Sequence, residues 1–389
     1  MKWDNLYIEG FGSYLPQERE FAAEMVAAGR YDEIEHQKTA QVSVVVARPE
    51  RGETAPEMAV TAGRAALADA GADPADIDLL VHAVVLHNGL EAWNCGAYLQ
   101  GELGITDCVP IEIRTACAGA VVGMELVGRW CAGSGKGMVT ASDAWQLPLF
   151  DRWASDSGVV YGDGAGALVL GHDGGPFRVL STSVVSDPLL ERMHRGDDPM
   201  TMPQYASDTP LNLPQRVSAF VEDRGTEEFW TRNAAALSRC AETALADAGV
   251  NHSDIVRWVV PNFGKVLLRK QCFVPLKIDA DQTLAARGWE IGHTGAADPV
   301  IGLDLLRRSG TLVPGDRVLL TGIGVGFTWG CAVVEYTGAP ARTAPARTAD
   351  ARAIDERTID ERTTDADATD ADATDAPTTE KNDTTGGVR

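Results

Sequence analysis

The hexapeptide Ala-Leu-Ala-Asp-Ala-Gly occurs twice in this chain, at 66–71 and at 244–249. Each copy is followed at the same spacing by Asp-Ile, Asp76-Ile77 and Asp254-Ile255, so the offset is 178 residues in both. Each copy reads as an amphipathic helix stopped by a glycine, Gly71 or Gly249. A short loop and an apolar β-run then follow, Leu79 to Leu86 or Val256 to Val260. Each half closes on a glycine-punctuated strand, Gly162-Asp-Gly-Ala-Gly-Ala in the first and Gly322-Ile-Gly-Val-Gly-Phe in the second. The pattern predicts two related α/β units, 1–172 and 173–337, packed as one body.

The 44% hydrophobic content supplies a large core. With 56 acidic against 34 basic residues the net charge is -22, which argues against a nucleic-acid partner because a phosphate backbone would repel such a surface. No apolar run approaches the roughly 20 residues of a membrane span, and the N-terminus lacks the apolar stretch of a signal peptide, so a cytoplasmic protein away from membranes is expected. Seven cysteines lie apart with no Cys-x-x-Cys pair, which points to free thiols and no metal site. From 338 to 389 the chain turns to Ala, Thr, Asp and Arg in imperfect repeats, and residues 341–389 hold 12 acidic and 7 basic residues. That composition predicts a disordered acidic tail.

Four segments can carry chemistry. In Ile111-Glu-Ile-Arg-Thr-Ala-Cys117-Ala-Gly-Ala, a strand, a small-residue turn and a helix put Cys117 at the turn. A thiol there meets the positive end of the helix and has room for a substrate, as a nucleophile requires. The other six cysteines fit small core residues better. In Gly292-His293-Thr-Gly-Ala-Ala-Asp298-Pro299, His293 can act as a base and Asp298 can orient it, which makes Cys117, His293 and Asp298 a candidate triad. Asp before Pro is equally an N-cap signature, so Asp298 can cap, orient, or both.

In Gly322-Ile-Gly-Val325-Gly-Phe327, the glycines run into a strand instead of opening a helix, which disfavours a dinucleotide site. They can let the Val325 and Cys117 amides form an oxyanion hole, or simply make a turn. In Pro261-Asn262-Phe-Gly-Lys265 and the helix that follows, Lys265, Arg269 and Lys270 group on one face. They can receive a phosphopantetheine carrier or a CoA phosphate, or they form a solvated face. The loop Leu86 to Trp93 and the segment Ser186 to Trp230 are expected to shape a pocket, with Trp93 and Phe327 as its candidate aromatic walls. The remaining histidines (36, 82, 87, 172, 194, 252) show no shared motif and receive no role.

Ala116-Cys117-Ala118-Gly119, Tyr161-Gly-Asp-Gly-Ala-Gly-Ala and Gly326-Phe-Thr-Trp-Gly together resemble the β-ketoacyl-carrier-protein synthase III enzymes of the thiolase superfamily, in landmark order over residues 5 to 337. The resemblance implies an α/β thiolase-like fold, a five-layered αβαβα homodimer, no cofactor, and Cys117 as the residue that takes an acyl group as a thioester. Two departures stand out. Pro261-Asn262-Phe263-Gly264-Lys265 replaces the synthases' Pro-His-Gln-Ala-Asn, and Gly292-His293-Thr294-Gly295 replaces Gly-Asn-Thr-Ser, so His and Asn are exchanged.

Condensation needs two donors on a developing enolate, whereas a carboxylate-paired histidine suits removal of a proton from an alcohol. The pattern looks like a branch of synthase III-like acyltransferases of antibiotic pathways. The expected function is transfer of an acyl or aroyl group from an acyl-carrier protein or CoA thioester, through Cys117, to a hydroxyl acceptor such as a sugar or to a second carrier. In this reading His293 is the base, Asp298 orients it, and Asn262 helps hold or polarise the acyl group. The alternatives are decarboxylative carbon–carbon bond formation and a noncatalytic partner subunit of the same fold.

Overall fold

In the computed structural model, residues 1–200 and 210–340 are described; the expected tail from 341 onward lies outside them. The first repeat ends the helix Ala55–Ala70, where the Glu57 carboxylate accepts hydrogen bonds from the Thr54 amide and hydroxyl and Gly71 takes the left-handed conformation (φ 61°). The second ends the helix Thr226–Ala248, again with a left-handed glycine, Gly249 (φ 67°).

Eleven strands are present among the described residues: β1 Lys2–Tyr14, β2 Arg19–Phe21, β3 Ser43–Val45, β4 Ile77–Ala83, β5 Val109–Ile113, β6 Lys136–Asp143, β7 Gly164–Gly171, β8 Phe177–Ser186, β9 Ile255–Val259, β10 Arg317–Gly324 and β11 Thr328–Tyr336. β2 and β3 pair by themselves, and the other nine form one sheet ordered β5-β4-β6-β7-β1-β8-β11-β10-β9. Outward from β1, the order β1-β7-β6-β4 has antiparallel, antiparallel and parallel pairings. Outward from β8, β8-β11-β10-β9 shows the same succession. The duplicated hexapeptide is thus one mark of a duplicated strand order, and β5 is the strand without a counterpart.

Helices divide into outer and inner ones by what they touch. Ala55–Ala70 packs on β1, β6 and β7, and Thr226–Ala248 packs on β8 and β11. Between them lie Gly119–Trp130, which touches β4 and β6 as well as β8, β10 and β11, and Asp298–Arg308, which touches β1 and β7 as well as β9 and β10. The two arms of the sheet therefore enclose a helical layer, and the succession is αβαβα. Apolar side chains of that inner layer, Val121, Met124, Val300 and Ile301 among them, are fully buried. No helix among the described residues is long and apolar enough to cross a membrane.

One element differs from the sequence reading. The helix starting at Lys265 is α-helical only over Lys265–Leu268 and continues as a π-turn, Arg269–Phe273. The extra residue in that turn alters which side chains share a face.

Candidate active site

Both inner helices begin at the same end of the molecule, and each is entered through a short 3-10 turn: Ala116–Ala118 before Gly119–Trp130, and Gly295–Ala297 before Asp298–Arg308. β5 turns into the first through Ala116, whose φ of 49° is a conformation that non-glycine residues rarely adopt. That sharp turn holds Cys117 at the helix entrance with only 7% of its surface exposed. β10 lies directly against this turn. A Cβ on Gly324 would stand 2.1 Å from the Thr115 carbonyl oxygen, and one on Gly322 would stand 2.7 Å from that of Cys117. Glycine at these positions lets the strand backbone reach the nucleophile turn.

His293 enters from the second turn. Its amide donates to the Val160 carbonyl (2.9 Å), and its own carbonyl accepts from Gly162 (3.1 Å), so the loop is stitched to the segment leading into β7. The imidazole bridges sulfur and carboxylate: Cys117 Sγ lies 2.9 Å from Nε2, and Nδ1 lies 2.5 Å from Asp298 Oδ2. Because the carboxylate oxygen can only accept, Nδ1 carries the proton and Nε2 faces the sulfur as an acceptor. Burial opposes a charged imidazole, but Asp298 and Cys117 outweigh it and raise the proton affinity of His293 well above the ordinary histidine value. The expected set of Cys117, His293 and Asp298 is in contact.

Asp298 is not an N-cap. It is the first residue of its helix, Ala297 occupies the cap position, and both carboxylate oxygens are turned toward loop donors. Oδ1 accepts from the Thr294 amide (2.8 Å), the Thr294 hydroxyl (2.7 Å) and Asn262 Nδ2 (3.2 Å). Oδ2 accepts from His293 and from the Asn262 amide (2.7 Å). Asn262 therefore departs from the role expected of it. Its side-chain nitrogen donates to Asp298 and to the Gly292 carbonyl (3.0 Å), so both amide hydrogens hold the histidine loop and neither is spare for an acyl group.

Cys117 and His293 open into a cavity of about 450 Å³ that Val325 and Phe327 also line. Most of the wall is apolar, from Val217, Phe229, Trp230, Phe263 and Leu267. The segment Ser186 to Trp230 supplies much of this wall, as expected; Leu86 to Trp93 supplies none of it. Trp93 instead packs against Tyr98, with ring centroids 5.5 Å apart and the planes tilted by 46°. The basic group is also split. Lys270 lines the main cavity, 5.6 Å from the Trp230 ring, whereas Lys265 and Arg269 line a second cavity of about 470 Å³ with Lys277 and Trp289.

Three residues had no motif to announce them. Asp143, buried at the end of β6, accepts from the Val85 and Leu86 amides (2.9 and 3.1 Å) and from the Ala296 amide (3.3 Å). It thereby ties the chain leaving β4 to the histidine loop, and burial lifts its carboxyl to about 7. His194 lies in the cavity wall beside Phe327, with ring centroids 5.4 Å apart, and burial lowers it to about 4. Asp156 lines the same cavity.

Comparison with known proteins bears on the family and the fold. Residues 111–188 match the model of the 3-oxoacyl-[acyl-carrier-protein] synthase III family, and residues 245–336 match its C-terminal model. A β-ketoacyl-[acyl-carrier-protein] synthase III of Rhizorhabdus wittichii is 28% identical over 332 residues, spanning 84% of this chain and 98% of that protein. The solved structure of ChlB3, described as an acyltransferase, is 33% identical with a TM-score of 0.81 and covers 87% of this chain and 99% of its own. The priming β-ketosynthase of the R1128 polyketide pathway shares the fold, with a TM-score of 0.69 at 23% identity over 88% of this chain and 98% of its own. By sequence and fold, the chain belongs to the β-ketoacyl-[acyl-carrier-protein] synthase III family of thiolase-fold enzymes.

Proposed function

We propose that the protein is a ping-pong acyltransferase that moves an acyl or aroyl group from a carrier-protein or CoA thioester to an acceptor hydroxyl without decarboxylation. The observation that carries this reading is the Sγ–Nε2 and Nδ1–Oδ2 contact line, a nucleophile joined to a base joined to its orienter. In the first step the Cys117 proton passes to His293 Nε2 and Sγ attacks the thioester carbonyl. The Cys117 and Val325 amides receive the oxyanion, and the departing thiol takes the proton back. In the second, the acceptor hydroxyl gives its proton to Nε2 while its oxygen attacks the acyl carbonyl, and Sγ leaves and is reprotonated.

Lys270 supplies positive charge at the cavity, and Lys265, Arg269 and Lys277 supply it at the neighbouring one, for the phosphorylated donor. The open edge strand β5, with Val109 44% exposed, suits pairing in a homodimer. We place the enzyme in the cytoplasm, in secondary metabolism such as antibiotic assembly.

Condensation is the second reading, favoured by the names of the curated synthase relatives. With a malonyl thioester, the acyl-transfer reading expects a Cys117 adduct that keeps its carboxylate and an ester product. Release of carbon dioxide in step with a new carbon–carbon bond would establish condensation instead.

Asn262 separates the two readings further. Because it acts through Asp298, Asn262→Ala is expected to lower turnover about tenfold and stability by about 1–2 kcal/mol. Steady-state kinetics beside urea unfolding checks this. A loss as large as that of removing His293 itself would mean that Asn262 touches the reacting group.

A further inference from the structure

The triad leaves one polar arrangement in the cavity unused. Tyr161, buried and with its ring 5.4 Å from that of His293, donates its hydroxyl to Asp156 Oδ2 at 2.6 Å. The Ser157 amide donates to Oδ1 at 2.8 Å. Among the described residues no lysine or arginine pairs with this half-buried carboxylate, and a carboxylate has room for about four hydrogen bonds. The loop that presents it is braced: Glu35 Oε2 accepts from the Ser157 hydroxyl and the Gly158 amide, both at 3.1 Å. A half-buried carboxylate without a cation is costly, and this one is held in place at the wall of the reaction cavity.

The chemistry of the vacant acceptor sites defines what they receive. A phosphate or carboxylate would be repelled, and a thiol is a weak donor that gains little. A hydroxyl hydrogen gains a charge-assisted bond. We infer that Asp156, set in place by Tyr161, is a specificity-determining residue that receives a second hydroxyl of the acceptor, so that the acceptor is a small polyhydroxy compound and not the thiol of a second carrier. This rests on the acyl-transfer reading above. His293 then meets the reacting hydroxyl while Asp156 holds its neighbour, which fixes both the acceptor and the position acylated.

The test uses the full-length protein, preloaded with whichever acyl group Cys117 accepts, and follows loss of the adduct by intact mass. Three probes are compared: a methyl pyranoside with a vicinal diol, its monodeoxy analogue, and phosphopantetheine as the thiol. Wild type is expected to discharge to the diol at least about tenfold faster than to the analogue, because a site built to bond a hydroxyl rejects a ligand without it. In Asp156→Asn, and in Tyr161→Phe, which keeps the ring, that preference is expected to fall to about twofold or less, with melting curves showing both variants folded.

A preference that survives in both folded variants overturns the inference. So does a wild-type acyl-enzyme that ignores the second hydroxyl or discharges fastest to phosphopantetheine. If the wild type forms no acyl adduct with any thioester, the acyl-transfer reading itself falls and takes this inference with it.

Discussion

Cys117→Ala is expected to abolish the covalent acyl adduct and to lower turnover at least about 10⁴-fold, leaving only what the oxyanion donors and substrate binding contribute. The size follows from the absence of a substitute. Burial pushes the Cys95 thiol up to about 12 and that of Cys131 to about 11, and raises Cys272 still further. His293 Nε2 lies 2.9 Å from the sulfur of Cys117, in a cavity that Cys117 lines and the other six cysteines do not. A limiting dose of iodoacetamide should therefore label Cys117 ahead of Cys95, Cys131 and Cys272, and acyl thioesters should add a single group to the wild type and none to the variant. An adduct that persists in Cys117→Ala, or turnover within tenfold of wild type, would remove the nucleophile and with it the two-step mechanism.

The meeting of Cys117 and His293 was legible in the sequence, and the reason is local. Cys117 and His293 each sit in a run of small residues at a loop-to-helix junction, where the chain itself sets the geometry. His293 and Asp298 are also close enough in sequence for one turn to bring them together. Asn262 was misread because its direction depends on the Gly292 carbonyl and the Asp298 carboxylate, both brought by other segments. On an α-helix Lys265 and Arg269 share a face, but Lys270, five residues after Lys265, lies about 140° round the axis, so grouping all three overlooked the helical period itself. Asp143, His194 and Asp156 stand in no motif; packing alone brings them to the site. The fold was more legible because a repeated hexapeptide at a constant offset signals a repeated supersecondary unit, and the strand order repeats accordingly.

Asp298→Asn is expected to slow transfer from the acyl-enzyme roughly 10³-fold and to move the acid limb of its pH–rate profile to lower pH. Burial works to discharge the imidazole, and Asp298 and the Cys117 sulfur together overcome it. In the acyl-enzyme the sulfur is a thioester without charge, so Asp298 is the remaining partner of that pair. The base must be neutral to take the hydroxyl proton, so the rate rises as pH climbs through the His293 pKa. Without the carboxylate that pKa drops, the neutral form persists to lower pH, and the plateau extends downward. The rate on the plateau still falls, because an asparagine nitrogen can donate to Nδ1 and leave the proton on Nε2, the side that must accept. Single-turnover transfer measured from pH 5 to 9 reads both effects. A reduced rate with an unmoved limb would instead mean that Asp298 only braces the loop through Thr294 and Asn262, and that His293 works without its electrostatic help.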